Sequence, residues 1–336
     1  MITVENVSKS FSSSDTGTPV VALRDVSLAV QAGSLYGVVG PAGSGKSTLA
    51  RCVALQERPD RGVVRFDGLN TATLDGRKLR DTRRQLAVLD PRLQPERTVA
   101  GNVAAPLELL GVDGPQRRQR VASLLDLIGL SRRAGQLPNE LTSGQRRRVA
   151  LARALVGGPA VLLADDPTNG VTAEESGSVL AVLDRARAEL GATVVVTTPD
   201  AGVARRVCDD VALLDQGRVV ESGNVLGLLG KAGSRIANEL LPSIETSRAQ
   251  AAQYDVAVDV VLIGFAAVGA LLPEAAGRFD VELATIGGGL TRVGDTPVAR
   301  FRLGVRGQRA DAALAWIVER GGHVTHTLYG LRNVAA

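Results

Sequence analysis

From Met1 to about Gly230, short aliphatic and β-branched runs alternate with longer stretches whose apolar residues recur at helical spacing. The runs LYGVVG (35–40), LAVLD (86–90), AVLLAD (160–165), TVVVTT (193–198) and DVALLD (210–215) carry no charge in their interiors, as strands buried on both faces require. Helical spacing predicts helices over 46–56, 116–129, 144–157 and 173–190. Strands alternating with helices predict an α/β fold with a mainly parallel sheet covered on both sides. In such a sheet ligands gather at the carboxyl ends of the strands.

Beyond Gly230 the pattern changes. The polar stretch KAGSRIANELLPSIETSRAQAAQ (231–253) reads as a helical or loose linker. It is followed by a strand (254–263), a helix (270–278), strands at 281–290 and 297–305, a helix (308–321) and a strand (323–329). That order, βαββαβ, is the ferredoxin-like split unit, with TRVGDTP (291–297) as the turn between its middle strands. The expected organisation is a nucleotide-type domain at 1–230, a linker at 231–253 and a small α+β domain at 254–332.

Composition narrows the class only a little. A hydrophobic fraction of 45% and a charged fraction of 22% belong to a folded globular chain. The net charge of +4 rests almost entirely on arginine, since lysine occurs only at 9, 46, 78 and 231. The longest apolar run, 260–272, is shorter than the roughly 20 residues a membrane-spanning helix needs. The first residues lack the apolar core of a signal peptide. Cys52 and Cys208 form no metal-spaced or redox motif, which suits a reducing compartment, and both read as buried small apolar residues. His323 and His326 form H-x-x-H, but on a strand residues three apart point to opposite faces, which argues against a metal site. Arg146, Arg147 and Arg148 have no interleaved aromatics and read as a solvated helix face rather than a nucleic-acid patch.

The chemistry is concentrated in GPAGSGKS (40–47), which fits G-x-x-x-x-G-K-[ST] directly after a strand and at the opening of a helix. Gly40, Pro41, Ala42, Gly43, Ser44 and Gly45 form a loop whose backbone amides converge on phosphates, and the helix start adds partial positive charge. Lys46 is expected to reach the outer phosphates and Ser47 to ligate Mg²⁺, with Thr48 lining the cradle. Asp165, at the end of an apolar strand, is the second expected Mg²⁺ anchor, acting through water. ATP and Mg²⁺ are therefore the expected cofactors.

The segment LTSGQRRRVALARALVGGPAVLLADDPT (141–168) resembles the ATP-binding subunits of ABC transporters: a signature of the LSGGQ type, a basic helix, then the metal strand. RTVAGNVAAPLELLGV (97–112) and the terminal βαββαβ unit are similar to the methionine-importer branch. The resemblance covers nearly the whole chain. It implies a P-loop ATPase cassette on the cytoplasmic face of the membrane, bound to a permease and paired with a second ATPase subunit. It also implies a C-terminal domain that senses a small amino acid, and no nucleic-acid partner. Thr142, Ser143, Gly144 and Gln145 would then cap the nucleotide held by the opposite subunit. Phe11, which closes the first strand, would stack on adenine, or else pack as an ordinary core ring.

Four positions depart from that family pattern. The residue after the metal aspartate is Asp166 where a glutamate is usual, one methylene shorter for a base that must reach its proton within about 2.6–3.2 Å. Thr172 stands where the following loop normally carries an aspartate, and Pro199 where a switch histidine is normally found. No histidine occurs in residues 1–322. The loop DPRLQPERT (90–98) is about two residues short, and Gln94, between Pro91 and Pro95, is its only glutamine for the metal. Binding parts are intact and chemistry parts altered. Two readings stay open: an importer motor in which Asp166 serves as a slow base, or a catalytically weak clamp that partners an intact ATPase.

Overall fold

The computed structural model describes residues 2–12, 19–245 and 248–326. The chain divides into two compact units, Met1–Ser222 and Gly223–Ala336. In chain order the strands are β1 (Ile2–Ser12), β2 (Pro19–Val30), β3 (Leu35–Val39), β4 (Arg61–Phe66), β5 (Leu69–Asn70), β6 (Leu86–Val88), β7 (Val161–Asp165), β8 (Thr193–Thr198), β9 (Asp210–Asp215), β10 (Arg218–Asn224), β11 (Val256–Ile263), β12 (Glu282–Val293), β13 (Thr296–Arg306) and β14 (His323–His326).

The first unit is built on a sheet ordered β10-β9-β3-β8-β7-β6, within which β6 through β9 pair in parallel. Every residue of β3 and β8 is buried, as their uninterrupted apolar runs require. A second, antiparallel sheet, β2-β1-β4-β5, completes the unit. Of its strands the sequence offers only the first, closed by Phe11 and seen as β1; β2, β4 and β5 are omitted, because the sheet's strands alternate polar and apolar residues and carry shifts in register rather than a clean run. Ile2, Val4, Val7 and Leu23 from that sheet share one buried core with Val38, Leu49, Val161 and Leu163. Helix boundaries move by a few residues. The expected helix 46–56 ends at Val53, with Leu55 in the left-handed region at φ 57°. A helix at Val99–Leu109, with Pro106 inside it, escaped the sequence reading.

In the second unit four strands form an antiparallel sheet in the order β12-β13-β11-β14, with helices Leu271–Phe279 and Ala310–Glu319 packed against it through Ala275, Phe279, Leu314 and Ile317. This is the expected ferredoxin-like unit, with one extra helical turn at Phe265–Val268. Residues 327–332 of the expected domain lie outside the described residues. The turn at 291–297 is tighter than expected: Val293 pairs with Thr296, leaving only Gly294 and Asp295 in the turn, and Gly294 takes φ 54°. The stretch read as a linker holds a helix, Arg235–Leu240, with Ile236 and Leu240 buried. Asp259 and Arg302, on neighbouring strands, form a bidentate ion pair at 2.7 and 3.0 Å.

Gly288 sits next to the irregular pairing of β12 with β13, at φ 96°, where a Cβ would come within 2.0 Å of the Arg300 carbonyl. Gly288→Ala is expected to destabilise the second unit by about 1–3 kcal/mol. Calorimetry of the full chain checks it: the transition of this unit shifts to lower temperature.

Candidate functional site

The order of the parallel sheet assembles the site. Strand β8 lies between β3 and β7, pairing Val39 with Thr198 on one side and Asp165 with Thr197 on the other. The loop after β3, the aspartates at and just after the end of β7 and the turn after β8 therefore meet at the carboxyl ends of the central strands.

The loop Gly40–Gly45 is shaped by its glycines. A Cβ on Gly40 would fall 2.0 Å from the Leu214 carbonyl, and one on Gly45 would fall 2.3 Å from that of Ala22, at φ 104°. The turn after β9 braces the loop, with Gly217 N–H donating to Ser44 O at 3.0 Å. Gly45 precedes helix Lys46–Val53, whose first turn has no side-chain cap. Its leading amides are thus directed at whatever the loop encloses. Pro41, Ala42, Gly43 and Ser47 are exposed, while Ser44 and Thr48 are buried. Lys46 is 8% exposed and donates to the carbonyls of Gly40 (2.7 Å) and Pro41 (2.8 Å). Burial pulls its ammonium below the ordinary lysine value, and the charges of Asp165 and Asp166 pull it partly back. An amide-lined loop, an ammonium, an exposed Ser47 hydroxyl and the Asp165 carboxylate at the same end of the sheet are a donor set that fits a phosphate chain with a divalent cation.

Thr197 holds both aspartates. Its hydroxyl donates to the Asp165 carboxylate, and its carbonyl accepts the Asp166 N–H at 2.7 Å. Asp166 is in the left-handed region at φ 46°, which short acidic side chains tolerate better than long ones. Burial, and then the charge of Asp165, push the Asp166 carboxyl above its ordinary value; Arg147 and Lys46 oppose the shift. Arg147 donates to the Asn169 carbonyl at 2.5 Å, tying down the loop that follows Asp166.

The arginine run is the solvated face expected from the sequence only at Arg146, which is exposed; Arg147 and Arg148 are half-buried. Arg146 donates to Leu141 O (2.8 Å), Arg147 to Asn169 O and Arg148 to Ile128 O (2.7 Å). The planar guanidinium fork satisfies loop carbonyls on three sides of the helix Ser143–Leu155. In the signature, Thr142 and Gln145 form a reciprocal capping box, the Thr142 N–H donating to Gln145 Oε1 at 3.1 Å and the Gln145 N–H to Thr142 Oγ1 at 3.2 Å. The Thr142 and Ser143 hydroxyls and the Gly144 N–H also meet the carboxylate of Glu175, a residue the sequence reading did not single out.

Gln94 has an exposed side chain, and its backbone is pinned by Asn102: its N–H donates to Asn102 Oδ1 at 2.8 Å, and its carbonyl accepts from Asn102 Nδ2 at 3.0 Å. Asn102 is fully buried and was also missed; only its place inside an apolar helix hints at a structural task. Arg153 fixes the same loop through the carbonyls of Asp90 (2.6 Å) and Arg92 (2.8 Å). Phe11 is half-buried at the end of β1, with Lys9 and Arg51 5.3 and 5.9 Å from its ring centre. Thr172 is the exposed residue before helix Ala173–Leu190. Pro199 is exposed, and Asp200 after it caps helix Ala201–Val207 through Gly202 N at 2.7 Å. Cys52 and Cys208 are buried free thiols, and burial pushes Cys52 up to about 11.

A parallel sheet with a glycine-rich phosphate loop, a metal-type aspartate strand and a signature helix defines a P-loop cassette of the ABC type. Residues 23–169 match the ABC transporter family and residues 256–326 the NIL domain. The methionine import ATP-binding protein MetN of Thermobifida fusca is 41% identical over 306 residues, 90% of this chain and 93% of that protein. The protein of that name from Symbiobacterium thermophilum is 38% identical over 96% of this chain and 97% of its own length. Among solved structures, a dimeric post-hydrolysis state of the ATP-binding cassette MJ0796 bound to ADP and Pi superposes with a TM-score of 0.60 at 32% identity, over 67% of this chain and 98% of that one. The chain belongs to the methionine-import ATP-binding family of ABC transporters, whose cassette is followed by a NIL domain. No helix among the described residues is long and apolar enough to cross a membrane.

Burial and the neighbouring charge of Asp165 disfavour the charged form of Asp166. Asp166→Asn is therefore expected to raise the melting temperature at pH 7. The gain should shrink as pH falls and vanish below the ordinary carboxylate range, where the wild-type carboxyl is protonated in both folded and unfolded chains. Thermal melts of both proteins from pH 3 to 8 check the sign.

Proposed function

We propose that this chain is the ATP-binding subunit of a methionine importer: two cassettes bind ATP between them, drive a membrane permease, and answer to amino acid held by the NIL domain. The observation that carries this reading is the phosphate loop facing Asp165 and Asp166 across β8, in a chain that also ends in a NIL domain. Gly40–Gly45 and Lys46 hold the phosphates of ATP, Ser47 and Asp165 the Mg²⁺, directly and through water. Gln94 is a further candidate for the metal shell, on a loop whose backbone Asn102 and Arg153 fix. Bound Mg²⁺ supplies charge neutralisation at the transferring phosphoryl group. Phe11 supports the adenine, and Thr142–Gln145 face the nucleotide of the second subunit.

Asp166 orients the attacking water. Its raised pKa favours accepting a proton, and its short arm limits the rate. With no histidine in residues 1–322, Lys46 and Arg147 are the cations that act on Asp166, and neither replaces a titrating imidazole. The site therefore binds ATP as its relatives' names describe and turns it over slowly. The subunit works at the cytoplasmic face of the membrane, held there by the permease, and a homodimer supplies both cassettes.

The test is uptake of labelled methionine by cells lacking their own importer and given this chain with its permease. Lys46→Ala is expected to abolish uptake; uptake that persists unchanged would refute the importer role. Asp166→Glu restores the longer arm and is expected to raise the steady-state hydrolysis rate by about 10-fold or more, out of the roughly 10²–10⁴-fold that such a base supplies. A rate left unchanged would mean that Asp166 is not the group that limits turnover.

A further inference from the structure

Helix Ser143–Leu155 opens on an anion cradle that the chain fills from within. The Thr142 hydroxyl donates to Glu175 Oε1, the Ser143 hydroxyl to Oε2 at 3.3 Å and the Gly144 N–H to Oε2 at 3.1 Å. Three consecutive residues thus converge on one carboxylate, at a helix end whose partial positive charge already favours an anion. Glu175 is anchored at its root, its N–H donating to Thr172 O at 3.1 Å in the first turn of helix Ala173–Leu190. The fit is close: a Cβ on Gly144 would stand 2.7 Å from that of Glu175. The Thr142 hydroxyl and then the Gly144 amide hold the Glu175 carboxyl below the usual range, so it carries its charge at neutral pH.

A carboxylate and a terminal phosphate ask for the same partners, namely hydroxyl and amide donors at a helix start. We infer that Glu175 is a positioning residue that stands in for the terminal phosphate of a second cassette's ATP, keeping the signature satisfied until that phosphate displaces it. This rests on the reading of Thr142–Gln145 as facing the nucleotide of a second subunit. A nucleoside triphosphate carries the group that can take over the three donors, and a diphosphate does not. Glu175 then sets the threshold at which two cassettes close.

The test is nucleotide-driven self-association of the purified full chain, followed by sedimentation with ATP or ADP, for the wild type, Glu175→Gln and Glu175→Ala. Glutamine keeps the length and one acceptor oxygen but removes the charge; alanine removes the group. Binding of a fluorescent ATP analogue at low protein concentration, where the chain is monomeric, reports the phosphate loop alone. Both variants are expected to pair roughly 10-fold more tightly with ATP, the scale of losing charge-assisted hydrogen bonds, with ADP-driven pairing and monomer affinity unchanged. If the wild type pairs with ATP but not ADP and neither variant gains, the signature reading stands and Glu175 is only a brace. Gains that are equal with ADP and ATP would overturn the competition with a terminal phosphate. Failure of every form to pair with ATP would remove both the signature reading and this inference.

Discussion

Thr197 is the residue through which the sheet governs the site. Its hydroxyl and carbonyl hold Asp165 and Asp166, and its neighbour Thr198 pairs with Val39 just before the phosphate loop. Both threonines are buried, so their positions are fixed by the packing of a fully buried strand rather than by the loops they serve. A one-residue slip of β8 would turn Thr197 to the other face and release Asp165. The aliphatic residues at 194–196, fully or almost fully buried, specify the register; the two threonines at the strand's end use it.

Around this anchor the charges are few and closely matched. Two adjacent carboxylates share one end of the sheet with Lys46, and Arg147 approaches from the signature helix. Burial raises the proton affinity of Asp166 and lowers that of Lys46, while each opposes the other's shift. Arg147 also secures the Asn169 carbonyl, so one guanidinium acts on the carboxylate's charge and on the loop that carries it. A site lacking histidine has kept its electrostatic balance with permanent cations. That suits binding a polyanion better than moving a proton, which is consistent with intact binding parts and slow chemistry.

Much of this was legible in the sequence, where one physical rule dominates. The phosphate loop could be read because its glycines, lysine and serine are contiguous and flanked by a strand and a helix. The terminal βαββαβ unit could be read from periodicity alone. Of the antiparallel sheet only the strand closed by Phe11 could be read; β2, β4 and β5 could not, since half-exposed strands with irregular register leave no apolar run. Asn102 and Glu175 were equally invisible as site residues. Asn102 acts on the loop just before it, a pairing that apolar periodicity does not register, whereas Glu175 acts on the distant residues Thr142–Gly144, and nothing local distinguishes a glutamate that meets the signature helix from one that meets solvent. Arg147 and Arg148 after the signature were misread for the same reason: the carbonyls they serve, at Asn169 and Ile128, are set by tertiary packing.

The central claim is that this cassette binds ATP with an intact phosphate loop and still turns it over through Asp166. Steady-state ATP hydrolysis by the wild-type chain assembled with its permease, against the same assembly carrying Lys46→Ala, tests it most directly. The account predicts a slow rate clearly above that of the Lys46→Ala assembly. A rate equal to that blank, with ATP still bound by the wild type, would contradict it and leave a nucleotide-held clamp without turnover.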